Sequence, residues 1–273
     1  MAFGSRYALT MNIVVTLKQV QDPNATRTSL RIGPDAKSIV LAAGGMPILS
    51  GYDANALEEA LRLRENSGGT VTAISVGQES TKDVLRRAIA MGADQALHVL
   101  GPTGIDCDSS TTASLLAAAI RSLPAIDLVL SGRQASDTDG ALTHLLLAAQ
   151  LGLAAVSPVK AIRTADSAAL IVDRITEGGV QRLRVPTPAV IGVSNEINKP
   201  RSPSLKGVAT AKRASIPTVT PESLGVGAME PAVRLVRLSF PPAVHSSLEL
   251  VSASSPEDLG KALADRLHHE GMI

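Results

Sequence analysis

Five short runs rich in Val, Ile and Leu, at 12–17 (NIVVTL), 70–76 (TVTAISV), 96–100 (ALHVL), 126–130 (IDLVL) and 188–193 (PAVIGV), limit what this chain can fold into. They are continuous rather than alternating, which is the pattern of strands buried on both faces of a parallel sheet. The segments between them are long and carry helical spacing: Asp53 to Asn66, Ser80 to Met91, Ser109 to Ser122 and Gly140 to Leu151. Strands alternating with helices predict an α/β fold, a mostly parallel Rossmann-like sheet with helices on both faces. Asp53 is placed to cap the first of these helices and Gly92 to end the second. Glu58, Glu59, Arg62, Arg64 and Glu65 read as the polar face of the first helix.

Residues 158–185 change character. Apolar and polar residues alternate there around Gly178-Gly179, the signal of a hairpin, so these strands are expected to extend the sheet antiparallel. Beyond Pro217 the chain is punctuated by Pro221, Pro231, Pro241 and Pro242, and a final helix is expected from about Pro256 to His269. The stretch AVRLVRLSF at 232–240 is costly to leave in water, so the tail reads as an arm that wraps a partner subunit. The expected organisation is an N-terminal extension over 1–10 with Met11 as the functional start, an α/β nucleotide-binding domain over 11–216, and a C-terminal arm and helix over 217–273.

Composition narrows the function. A formal charge of +1 and the lack of a basic, aromatic-interleaved patch give no footprint for nucleic acid. With two Tyr, two Phe and no Trp, any ring cofactor would be held by backbone, polar groups and another subunit. Cys107 is the single cysteine, which excludes an intrachain disulfide framework and fits a reducing, cytoplasmic setting. No window reaches the roughly 18 uninterrupted apolar residues of a membrane helix, so a membrane protein is not expected. His98, His245, His268 and His269 have no metal-ligand spacing, and Lys261, Asp265 and Arg266 read as a solvated helix face. No metal site is expected.

The run SGRQASDTDGALTHLLLAAQ follows the strand at 126–130, which puts Gly132, Gln134 and the acidic residues at the carboxyl end of a parallel strand and the start of a helix. Sheets of this type bind ligands there. The amides of Gly140, Ala141, Leu142 and Thr143 would face a phosphate at the helix N-terminus, with Asp139 as N-cap and Asp137 shaping the loop. No Gly-x-Gly-x-x-Gly follows the first strand, and Gly44-Gly45 is too isolated to replace it, which argues against a dehydrogenase. Farther on, NKPRSPSLKGVATAKR at 198–213 is a Pro-rich basic segment. Pro200 and Pro203 restrict its backbone, so Leu205 can be presented as an apolar anchor among Arg201, Lys206, Lys212 and Arg213 to a partner with an acidic rim.

In order along the chain stand Leu17-Lys18-Gln19-Val20, the turn Ser50-Gly51-Tyr52-Asp53, Met91-Gly92-Ala93-Asp94, Gly132-Arg133-Gln134-Ala135-Ser136-Asp137 and Asn198-Lys199-Pro200-Arg201. Together they resemble the signature of the electron transfer flavoprotein β subunit family, from Met11 to the C-terminal helix. The resemblance implies one half of a heterodimer in which an α subunit supplies most of the surface for a redox FAD. Dehydrogenases of the acyl-CoA or amine type would reduce that flavin, and electrons would pass to a quinone reductase or another acceptor. It implies nucleotide contacts at Thr16, Ser50, Gly51, Tyr52, Asp53, Val76, Gly132, Gln134, Asp137, Asp139 and the amides of Gly140 to Thr143, and flavin support from Leu17 to Asp22. Donor docking would fall to the recognition loop at 195–213, through Pro200, Arg201, Leu205 and Lys206. No catalytic residue is expected, because the flavin carries the chemistry.

The family's nucleotide is AMP in most members and a second FAD in electron-bifurcating ones. Lys18-Gln19-Val20 and Glu196-Ile197-Asn198 lean to the latter, and both ligands stay open. Leu142, Thr143 and His144 depart from the family's pattern, with an imidazole where a Gly is usual, expected on the helix surface. Ser50-Gly51 replaces Asn-Pro, and Ile175 stands where the family often has a second Glu. A standalone adenine-nucleotide-binding module, or a partner subunit that has lost its nucleotide, are the competing readings.

Overall fold

The computed structural model describes residues 10–26, 30–41, 46–101, 107–166, 168–227, 229–242 and 248–273. The expected extension, Thr10 apart, lies outside these residues, as do Gly44-Gly45 and His245. Two compact units divide the chain, Met1–Leu238 and Ser239–Ile273.

In the first unit β1 (Met11–Thr16) is followed by short strands β2 (Gln19–Val20), β3 (Leu30–Ile32), β4 (Ile39–Leu41) and β5 (Ile48–Leu49). These pair as two small antiparallel ribbons, β2 with β5 and β3 with β4. Next come α1 (Gly51–Ser67), β6 (Gly69–Gly77), α2 (Lys82–Met91), β7 (Gln95–Leu100), α3 (Ser109–Arg121), β8 (Leu128–Gly132) and α4 (Thr143–Leu151). The unit continues with β9 (Ala154–Asp166), β10 (Ala169–Thr176), β11 (Gly179–Pro186), β12 (Ala189–Val193), α5 (Leu205–Arg213) and β13 (Thr218–Val219).

One nine-stranded sheet has the order β11-β10-β9-β12-β8-β1-β6-β7-β13. The run from β12 to β7 is parallel throughout. The expected antiparallel extension is a meander of β9, β10 and β11, with Thr176 paired to Gly179 across the hairpin turn. From β1 the chain moves outward through β6 and β7, then returns to place β8 and β12 on the other side. Strand order therefore reverses between β1 and β8.

Alternate residues of the central strands serve different faces. Ile13, Val15, Val71, Ala73, Leu128 and Leu130 pack with Leu57 and Leu61 of α1 and Leu85 and Ala88 of α2. Val14, Ile74, Val99, Val129 and Val190 pack with Leu115 and Leu116 of α3 and Leu147 of α4. Burial of both faces explains why these strands read as unbroken apolar runs.

Four local expectations are corrected. Helix α1 begins at Gly51 with Ser50 at its N-cap, so Asp53 lies inside the first turn and does not cap it. Glu58 and Glu59 are buried, not solvated. The segment expected as a loop over 198–213 becomes α5 at Leu205, capped by Ser204, whose Oγ accepts from Gly207 N at 3.0 Å. Asp139 does not cap α4, which starts at Thr143 with Leu142 at its N-cap. Gly92 does end α2.

The second unit contains α6 (Pro256–His269), capped by Ser255, with Arg266 paired to Glu249 and Glu270. None of the helix's residues is buried, and Leu259 and Leu263 are exposed. Among the described residues no helix is long and apolar enough to cross a membrane.

Candidate functional site

The reversal between β1 and β8 opens a crevice at the carboxyl ends of the strands, the usual ligand position in such sheets. A single carboxylate spans it. Asp53 Oδ2 accepts from Lys18 N at 2.8 Å, just past β1, and Oδ1 accepts from Gly132 N at 3.0 Å, the last residue of β8. Only glycine allows this approach: a Cβ on Gly132 would stand 2.5 Å from Asp53 Oδ1 and 2.6 Å from Tyr52 Cβ. Burial pushes the Asp53 carboxyl up to about 7, against the two backbone donors and the nearby Lys18 charge. Ser50, fully buried, lies beside this carboxyl without a hydrogen bond of ordinary geometry.

The loop after β8 is tied across the same crevice. Lys18 Nζ pairs with Asp137 Oδ1 at 2.7 Å, and Gln134 Nε2 donates to Asp139 Oδ1 at 2.9 Å. Both loop carboxylates therefore have partners of their own. Asp139 and Ala141 adopt left-handed φ values of 46° and 51°, a conformation that costs a residue bearing a Cβ and collects at ligand sites. Among the described residues the N–H groups of Gly140, Ala141, Leu142, Thr143 and His144 take no backbone or side-chain acceptor. A helix start without a side-chain cap, a run of free amides and an exposed loop fit a phosphate.

The other expected nucleotide residues gather here. Thr16 ends β1 and is buried, Val76 is the penultimate residue of β6, and Gly51 and Tyr52 form the first turn of α1. Arg133 lies over the Tyr52 ring, 5.2 Å from its centroid, and its Nε is buried without an acceptor. Sequence reasoning does not foresee the tie from Lys18 to Asp137 or the stacking of Arg133 on Tyr52. Arg133 directly follows β8 and Lys18 stands two residues past β1, and those places at strand ends are the signal that could have found them.

His144 corrects a further expectation. It is buried, 3% exposed, with Nε2 unpaired, and burial pushes its pKa down to about 4. Its ring rests on β12 at Gly192, so it faces the sheet and not the surface.

The expected docking residues lie elsewhere. Leu205 heads α5 and is 93% exposed, with Lys206 beside it also exposed. Arg201 is tied to α1 by ion pairs to Glu58 and Glu65, and Pro200 precedes it. Among the described residues no group of three or more His, Cys, Asp or Glu is placed to hold a metal.

The family model described as "Electron transfer flavoprotein domain" matches residues 39–224. The chain is 38% identical to an electron transfer flavoprotein subunit beta of Thermoanaerobacterium thermosaccharolyticum over 218 residues, 79% of this chain and 81% of the relative. The chain belongs to the electron transfer flavoprotein β subunit family. It is also 31% identical over 269 residues to the caffeyl-CoA reductase-Etf complex subunit CarD of Acetobacterium woodii, 96% of this chain and 100% of that one. Protein FixA of Azorhizobium caulinodans is 34% identical over 222 residues, 79% of this chain and 77% of the relative. Family membership assigns the chain a role in electron transfer, and the matched residues carry the sheet from β6 to β13 together with α1 to α5.

Proposed function

We propose that the chain is the small subunit of a heterodimeric electron transfer flavoprotein, holding a nucleotide in the crevice between β1 and β8 and helping an α subunit to hold FAD. The observation that carries this reading is the run of free amides from Gly140 to His144 beside the Asp53 brace, within a family-matched domain. The amides receive a phosphate, Thr16, Val76 and the first turn of α1 line the rest, and Lys18 holds the loop through Asp137. Bound FAD would supply the redox chemistry, accepting electrons from acyl-CoA or amine dehydrogenases and releasing them to a quinone reductase or another acceptor. Leu17 to Asp22 support the flavin, Leu205 and Lys206 meet the donor, and the arm over 217–273 wraps the α subunit. A cytoplasmic location completes this reading, which the family match supports over a standalone nucleotide-binding module.

The nucleotide is AMP, or a second FAD seated by its adenosine end. Similarity to a subunit of the caffeyl-CoA reductase complex along 96% of the chain favours keeping the second ligand in view. Co-expression with an electron transfer flavoprotein α subunit from the same genome, followed by quantification of FAD and AMP released on denaturation, tests the proposal. One FAD and one AMP per heterodimer is the outcome for a simple carrier, and two FAD for the alternative. A heterodimer without flavin would overturn the reading.

A further inference from the structure

Helix α1 grips the chain just ahead of the Leu205 anchor. Asn198 Nδ2 donates to Asn55 O at 3.0 Å and to Glu59 Oε2 at 3.1 Å, and Asn55 Nδ2 donates back to Asn198 O at 2.8 Å. Arg201 completes the hold. Its backbone N and its Nε reach Glu58 Oε2 at 3.1 and 2.8 Å, one terminal guanidinium nitrogen reaches Glu58 Oε1 at 3.2 Å, and both terminal nitrogens bond Glu65. A fork of this kind fixes direction as well as distance, which a single contact does not.

Glu58 is 3% exposed and also accepts from Arg62 Nε at 2.7 Å. Burial acts to raise its pKa, but Arg201 and Arg62 together hold the carboxyl below its usual range, so it stays charged. Buried, Glu58 has no access to a docking partner. Arg201 spends its donors on α1, while Leu205, four positions on, turns into solvent at 93% exposure.

We propose that Arg201 is a positioning residue for partner docking: gripped by Glu58 and Glu65 of α1, it sets where the Leu205 anchor stands and does not itself bind the partner. This rests on the reading of Leu205 as the docking anchor. It replaces the expectation that Arg201 serves as a rim cation.

The test uses the FAD-loaded heterodimer and an acyl-CoA dehydrogenase that reduces the wild type with saturation, comparing Leu205→Ala, Arg201→Gln, Arg201→Lys, Glu58→Gln and the double variant Leu205→Ala/Arg201→Gln. Arg201→Gln and Glu58→Gln are each expected to raise KM for the dehydrogenase by about tenfold with kcat and flavin content unchanged. Lysine recovers only part of the loss. The double variant is no worse than Leu205→Ala, because a missing anchor has no position to lose. Amide hydrogen exchange over residues 198–204 should speed up in both Arg201→Gln and Glu58→Gln. Wild-type KM in Glu58→Gln beside a raised KM in Arg201→Gln and Leu205→Ala, additive losses in the double variant, or unchanged exchange would each overturn the proposal alone. Wild-type KM in Leu205→Ala would overturn the docking reading and the proposal with it.

Discussion

The imidazole of His144 rests against Gly192: a Cβ built on that glycine would lie 2.6 Å from His144 Nε2 and 2.5 Å from Ser157 Oγ. The first turn of α4 is thus seated on β12 through a histidine that fits only because residue 192 has no side chain. Gly192→Ala should destabilise the fold by roughly 1–3 kcal/mol through overpacking. The double variant Gly192→Ala/His144→Ala should recover part of that loss, since the clash goes with the ring. Urea unfolding of the two variants checks the relationship, and strictly additive losses would speak against it.

The same burial makes His144 a source of acid sensitivity. Its folded pKa is depressed from 6.5 to about 4, so between those values the unfolded chain binds a proton that the folded chain does not. Stability contributed by this group is therefore full above about pH 6.5 and is lost as pH falls toward 4, by up to roughly 3 kcal/mol. Replacing it with leucine, of similar volume, should flatten that part of the stability profile. Parallel profiles for wild type and His144→Leu would exclude the effect.

Much of the sheet was legible because its central strands are buried on both faces, which leaves few polar residues to blur them. The boundaries of α6 and the end of α2 at Gly92 were equally local. What failed was long-range. Asp53 in a first helical turn looks like a cap, and its real partners are Lys18 and Gly132, 35 and 79 positions away. Glu58 looks solvated until Arg201, 143 positions on, is seen to neutralise it. In the same way Pro200, Pro203 and Gly207 hide α5, whose stability comes from packing on α2, where Arg86 donates to Ala211 O at 3.0 Å.

Asp53 titrates in the opposite sense to His144. Its folded pKa is raised from 3.8 to about 7, so between these values the folded chain holds a proton that the unfolded chain has released. The group favours folding most below about pH 4, and that advantage fades as pH rises toward 7, by up to roughly 4 kcal/mol. An asparagine in its place would not titrate, but the amide has one oxygen to serve Lys18 N and Gly132 N, and an unserved buried donor costs about 1–3 kcal/mol. Asp53→Asn should thus be markedly less stable than wild type at pH 5, with the gap closing at pH 8. Urea unfolding at the two pH values measures it. A gap that widens with pH would show that the two backbone donors keep the carboxylate ionised.

Ala141 tests whether the loop before α4 stores strain for ligand binding. A left-handed alanine at φ 51° costs roughly 1–2 kcal/mol, which glycine escapes at the expense of a looser unfolded chain. Ala141→Gly should leave stability unchanged or raise it by up to about 1 kcal/mol. Its effect on the nucleotide should run the other way, because a freer loop must be ordered when the amides of Gly140 to His144 close on a phosphate. Titration of the heterodimer with AMP, after removal of bound nucleotide, should show affinity several-fold weaker in the variant than in wild type. Equal affinity with raised stability would mean that the left-handed pair serves the path of the chain and not the phosphate.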